Sequence, residues 1–102
     1  MRETPADVAA KLPHIPETPG VYLWKDAQGT VLYVGKAKRL RSRVRSYFAS
    51  THEGSVKTQA LVRLIAELDT IVVPTEAHAL LLEADLIKEY RPRFNIALRD
   101  DK

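Results

Sequence analysis

Apolar and polar residues follow two rhythms along this chain, and each change of rhythm marks an element. Thr4-Pro5-Ala6-Asp7 reads as a helix start, with Thr4 as the cap and Pro5 in the first helical position. The short helix runs to about Leu12 and ends at Pro13. Pro16, Pro19 and Gly20 then turn the chain into two runs rich in valine, tyrosine and tryptophan, residues 20–26 and 30–35. The turn-like Asp26-Ala27-Gln28-Gly29 between them predicts a β-hairpin. A symmetric four-residue loop pairs Tyr22 with Tyr33, Trp24 with Val31 and Gly20 with Gly35. Both tyrosines then leave the same face with Cβ atoms about 5 Å apart, unless a one-residue bulge shifts the pairing.

Residues 37–48 switch to helical period, with Ala37, Leu40, Val44, Tyr47 and Phe48 on one arc and basic residues around the rest. A polar, mobile loop is expected over residues 50–55, then a second amphipathic helix over 56–68. Residues 70–73 predict a short β-branched strand that stops at Pro74. Thr75 caps a helix over 76–90, and Arg91-Pro92 breaks it, leaving Phe94, Asn95 and Ile96 extended. Three strands and three to four helices make one small α/β domain, a three-stranded antiparallel sheet flanked by helices. Residues 1–15 form an N-terminal helical arm, and Arg99-Asp100-Asp101-Lys102 is read as the end of a fragment excised from a longer chain.

Glu83 breaks the pattern of its helix. On the helical wheel Ala79, Leu80, Leu82, Ala84, Leu86, Ile87 and Tyr90 fill one broad apolar arc, and Glu83 falls in the middle of it. A carboxylate facing a core is costly unless it is paired, neutral and hydrogen-bonded, or bound to a cation. The wheel leaves all three open. Glu76 sits in the first turn, where the helix dipole is a sufficient reason for an acid.

Apolar residues make up 45% of the chain and charged residues 28%, ordinary for a globular domain. No apolar run approaches the roughly 18 residues of a membrane span, the first residues lack a signal-peptide core, and a cytoplasmic location is expected. Cysteine is absent, so a metal would be held by oxygen or imidazole. The net charge of +3 is mild, but six of the sixteen basic residues, Lys36, Lys38, Arg39, Arg41, Arg43 and Arg45, fall together with no acid among them. That stretch is either a solvated helix face or a phosphate-facing surface.

Gly20-Val21-Tyr22 and Tyr33-Val34-Gly35, with ten residues between the two tyrosines, resemble the paired signature of the GIY-YIG nucleases, valine replacing isoleucine in both halves. Tyr33-Val34-Gly35-Lys36-Ala37-Lys38-Arg39-Leu40, followed by Arg43 and Ser46-Tyr47-Phe48, is similar to the version found in bacterial excision-repair UvrC proteins. So is Leu82-Glu83-Ala84-Asp85-Leu86-Ile87-Lys88, continuing into Tyr90-Arg91-Pro92-Arg93-Phe94-Asn95. Phe94 stands where the family usually has tyrosine, and Asp85 where asparagine is frequent. The resemblance implies a catalytic set of Tyr22, Tyr33, Lys36, Arg43, Tyr47, Glu83 and Asn95, with Glu83 holding one divalent cation, Mg²⁺ or Mn²⁺. It implies incision of damaged double-stranded DNA on the 3′ side of a lesion, with UvrB as a partner bound through segments outside this chain.

In that chemistry Arg43 offers a guanidinium fork to the phosphate. Tyr22 is expected to activate the water, with Tyr33 orienting it and Lys36 tuning both, although the two tyrosines can exchange roles. A nearby ammonium and a cation are expected to lower the phenol pKa. Lys38, Arg39, Arg41 and Arg45 are expected to track the DNA backbone. His14, His52 and His78 match no motif and read as structural or solvated. Two alternatives stand beside this reading: another GIY-YIG nuclease, whether a short UvrC-like homologue or a restriction or mobile-element enzyme, and a non-catalytic nucleic-acid-binding module.

Overall fold

The structure, a computed structural model, describes residues 4–49 and 56–99, with side chains as far as Ile96. In chain order the elements are α1 (Ala6–Lys11), a 3₁₀ turn (Leu12–His14), β1 (Gly20–Lys25), β2 (Val31–Ala37) and α2 (Leu40–Ser46). They continue with α3 (Val56–Leu64), β3 (Glu67–Val72), α4 (Glu76–Tyr90) and α5 (Arg93–Arg99). The sheet order is β2-β1-β3, and β1 is antiparallel to both neighbours. This is the expected three-stranded antiparallel sheet with flanking helices. The polar loop expected over residues 50–55, with His52, lies outside the described residues.

The hairpin forms in a different register from the symmetric one. Gly20 faces Ala37, Tyr22 faces Gly35 and Trp24 faces Tyr33, then the ladder shifts between Trp24 and Lys25 so that Lys25 faces Val31. The turn explains the shift. Asp26 Oδ1 accepts hydrogen bonds from the backbone of Gln28 (2.9 Å) and Thr30 (3.0 Å), and the Asp26 amide donates to the Thr30 carbonyl at 3.0 Å. Gly29 takes the left-handed conformation there, φ 83°. Tyr22 and Tyr33 are therefore diagonal neighbours rather than an opposed pair.

One face of the sheet carries Tyr22 and Trp24 into the main core with Val8, Leu40, Val44, Leu61, Ile65 and Phe94. The arm belongs to this core, since Val8 is fully buried and Ile15 nearly so. On the other face Val21, Leu23 and Val34 pack against Ala79, with Leu82, Leu86 and Ile87 beside them. One helix over a narrow sheet buries only a narrow stripe, and Leu80, Leu81 and Tyr90 stay exposed. Glu83 is accordingly half-buried at the rim of this stripe, not in a core.

Other boundaries also move. Pro5, not Thr4, is the N-cap of α1, its carbonyl accepting from Ala9 N at 2.9 Å. The helix expected from residue 37 starts at Leu40 because β2 runs on to Ala37. The third strand starts earlier than expected, and α3 correspondingly stops at Leu64. Arg91 adopts φ 46° and ends α4, but Pro92 then starts α5, its carbonyl accepting from Asn95 N and Ile96 N, each at 3.1 Å. Residues 94–96 are thus helical rather than extended, because Pro92 sits at the N-cap, where its carbonyl accepts the first helical bonds and its missing N–H costs nothing. Among the described residues no helix is long and apolar enough to cross a membrane.

Both outer strands are pinned by side chains. Asn95 is buried at 5% exposure; its Oδ1 accepts from Val34 N (2.7 Å) and its Nδ2 donates to Val34 O (2.9 Å). Across the sheet, Leu68 N donates to Asp7 Oδ2 at 3.0 Å and Lys11 Nζ donates to Leu68 O at 2.5 Å.

Candidate active site

Three phenols meet where α2 crosses the hairpin. Tyr22 leaves β1 with only 3% exposure, and its hydroxyl lies 2.8 Å from that of Tyr47 at the end of α2. Its ring centroid is 5.7 Å from Tyr47 and 6.3 Å from Tyr33. Trp24 backs the group edge-on, 5.1 Å from Tyr47 and 5.7 Å from Phe48. The signature glycines make this packing possible. A Cβ at Gly35 would overlap the Tyr22 ring, and a Cβ at Gly20 would lie 2.7 Å from the Ile71 carbonyl oxygen and 2.8 Å from Leu40 Cδ2.

The short segment before β1 sets the start of α2. Leu40 N donates to Thr18 O (3.2 Å), Arg41 N to Pro16 O (3.3 Å) and Ser42 N to Glu17 Oε1 (2.8 Å). The Ser42 hydroxyl donates to the other Glu17 oxygen. Three first-turn amides that a helix leaves open are satisfied from outside it. The hydrogen bonds from Ser42, then the charges of Arg41 and Arg39, hold the Glu17 carboxyl below its usual range. Sequence gave no signal for this role, since the partners are 25 residues apart. Arg43 follows on α2, exposed, and its positive charge acts on Tyr22, Tyr33 and Tyr47 alike.

Burial, not the neighbouring cations, dominates the phenols. Tyr22 is pushed well above the ordinary tyrosine range by desolvation and then by Tyr47. Tyr47 is raised by burial, against the Tyr22 hydrogen bond and Arg43. Tyr33 is pushed up to about 12 by burial, then Tyr47 and the negative charge of Glu83, against Arg43. The expected lowering is thus reversed in the protein alone. Glu83 from α4 and Arg43 from α2 therefore bear on the same half-buried hydroxyl with opposite charge.

Lys36 and Asn95 stand apart from the phenols. Lys36 faces Val21 across the ladder and so projects from the opposite side of β2 to Tyr33. It joins Arg43 instead in lining a cleft of about 720 Å³ between α2 and the start of α4. Of the other basic residues, Lys38 and Arg39 line that cleft, Arg41 bears on Glu17, and Arg45 is exposed outside it. Asn95 has its amide engaged by Val34 on both sides and so holds β2 between Tyr33 and Gly35.

Residues 18–96 match the family described as the UvrC-like GIY-YIG domain. The chain belongs to that family. It is 77% identical over 95 residues to the UvrABC system protein C of Gemmatimonas aurantiaca and 56% identical over 92 residues to that of Desulfitobacterium hafniense. These alignments cover 93% and 90% of this chain but only 15% of each relative's length. Among solved structures, the GIY-YIG N-terminal endonuclease domain of UvrC from Thermotoga maritima, bound to magnesium as its catalytic divalent cation, superposes with a TM-score of 0.76. It is 42% identical, and the match covers 89% of this chain and 98% of that one.

This UvrC-like GIY-YIG domain offers a cation an unusual donor set. Among the described residues no three His, Cys, Asp or Glu side chains cluster as metal ligands. Glu83 alone, half-buried and beside a phenol, suits a hard octahedral cation that keeps most positions for water and phosphate oxygens. Glu76 lies in the wall of the cleft. His78 is exposed and bonded to its helix cap, Nδ1 2.9 Å from Thr75 Oγ1, and His14 is exposed in the 3₁₀ turn.

Proposed function

We propose that the chain is a divalent-cation-dependent DNA endonuclease domain that makes the 3′-side incision at a lesion in nucleotide excision repair. It works in the cytoplasm with UvrB, which segments outside this chain would contact. The observation that carries the reading is the cluster of Tyr22, Tyr33 and Tyr47 where α2 crosses the hairpin, with Glu83 and Arg43 acting on Tyr33 with opposite charge.

Arg43 is exposed and presents its fork to the non-bridging oxygens, stabilising charge that grows as water attacks phosphorus. Tyr33 takes the water-orienting and proton-accepting role in preference to Tyr22. Tyr22 is almost wholly buried and its hydroxyl is engaged by Tyr47, whereas Tyr33 is half-exposed and feels both Glu83 and Arg43. Tyr22 and Tyr47 hold that arrangement from below. A phenol at about 12 keeps its proton at neutral pH, so the role requires added positive charge nearby. A divalent cation held by Glu83 supplies that charge and the Lewis acidity that stabilises the departing 3′ oxygen. Lys36, Lys38 and Arg39 join Arg43 in binding the strand through its phosphates, and about four such contacts give a log–log salt slope of roughly −3 to −4.

The test compares the intact protein with Glu83→Gln and Arg43→Ala, together with UvrB and a lesion-bearing duplex, with and without Mg²⁺. Both variants should lose 3′ nicking by at least about a hundredfold. Near-normal nicking by both would overturn the mechanism.

A further inference from the structure

The cleft between α2 and the start of α4 has two chemically unlike walls. Lys36, Lys38, Arg39 and Arg43 stand on one side, while the α4 side offers Ala77, Ala79 and Leu80 with a single acid, Glu76. Leu80 is 53% exposed, a large aliphatic side chain that the domain's own packing leaves largely unused. Glu83 lies three residues further along α4, about 4.5 Å in helical rise, so the apolar wall begins next to the candidate reaction centre.

An intact duplex presents phosphates on both sides of a groove and would be matched by cations on both walls. One unstacked nucleotide matches the observed pair of walls better. Its phosphate faces the basic side, and its sugar and base faces lie on the aliphatic side. We propose that this cleft receives the nucleotide next to the scissile phosphate, swung out of the stack. Leu80 and Ala77 form its apolar floor, and Glu76 repels phosphate toward the opposite wall. The inference rests on the nuclease reading and adds a preference, for a locally opened strand over a perfect duplex.

The test measures binding of the chain to fluorescein-labelled duplexes in EDTA across a salt series. One duplex is fully paired and the other has a short unpaired stretch. The wild type should bind the opened duplex more tightly. Leu80→Asn, at an exposed position that leaves the melting temperature in place, should lose about fivefold on the opened duplex. The factor should be the same at every salt concentration, with little change on the paired duplex. Lys38→Ala should weaken both and reduce the salt slope by about 1. A normal salt slope with no Leu80 effect, or with no wild-type preference for the opened duplex, overturns this inference alone. A slope near zero on both duplexes overturns it together with the nuclease reading.

Discussion

Tyr22 and Gly35 face each other across the β1–β2 ladder, and the phenol ring fills the volume that a side chain at Gly35 would need. The second signature tripeptide is thus shaped by the first: its glycine is the space into which the first tripeptide's tyrosine lies. The ring, nearly without exposure, has nowhere else to go.

Gly35→Ala should therefore act as an overpacking change, displacing Tyr22 and its hydrogen bond to Tyr47. A loss of about 1–3 kcal/mol is expected, read as a lower urea midpoint with an unchanged m-value. An alanine variant as stable as the wild type would show that the ring moves freely.

Tyr33 links the site to alkaline stability. Its proton leaves near 10.0 in the unfolded chain and near 12 in the folded one. Between those values the unfolded chain has already lost the proton that the folded chain keeps. Its contribution is complete below pH 10.0 and is lost as pH rises through about 12. In metal-free buffer, phenolate absorbance should show Glu83→Gln titrating Tyr33 earlier and Arg43→Ala titrating it later. An unmoved titration in both variants would separate the three side chains.

Asn95→Ala should behave as a structural lesion. It leaves the N–H and C=O of Val34 without their partner at a buried edge, a cost of about 1–3 kcal/mol. Asn95→Asp should also destabilise, since it replaces the amide donor by an oxygen facing a carbonyl. If the asparagine instead acts on substrate, the alanine variant keeps the wild-type unfolding midpoint and loses only incision.

Glu17→Ala should loosen the first turn of α2 and with it the placement of Arg43. A lower melting temperature and several-fold slower incision are expected, with Glu17→Gln, which keeps an acceptor oxygen, restoring most of both. Because the folded carboxyl lies below 4.5, its contribution is present above that pH and fades as pH falls through the lower value. The alanine variant should lack that acid-side component.

The sheet, the Thr75 cap and the order of elements were legible because each depends on local pattern: alternation, a capping threonine, helical period. The register was not, since one turn carboxylate at Asp26 decides where the bulge falls. Glu83 stood out on the wheel for a sound reason, yet a wheel reports direction and not depth, and a lone helix over three strands leaves that direction half-open. Glu17 was illegible because its partner is distant in sequence. Asn95 was visible only through the resemblance, which carries a residue's importance but not whether it touches the substrate or the backbone.

The clamps on Val34 and Leu68 decide how this small domain can join a larger assembly. A strand from another molecule seeking to extend the sheet would find each border already occupied, mid-strand by one amide on β2 and near the start of β3 by an acid–base pair. Neighbours are steered instead to helix surfaces and loops, which guards the domain against sticking to its own copies through their sheets.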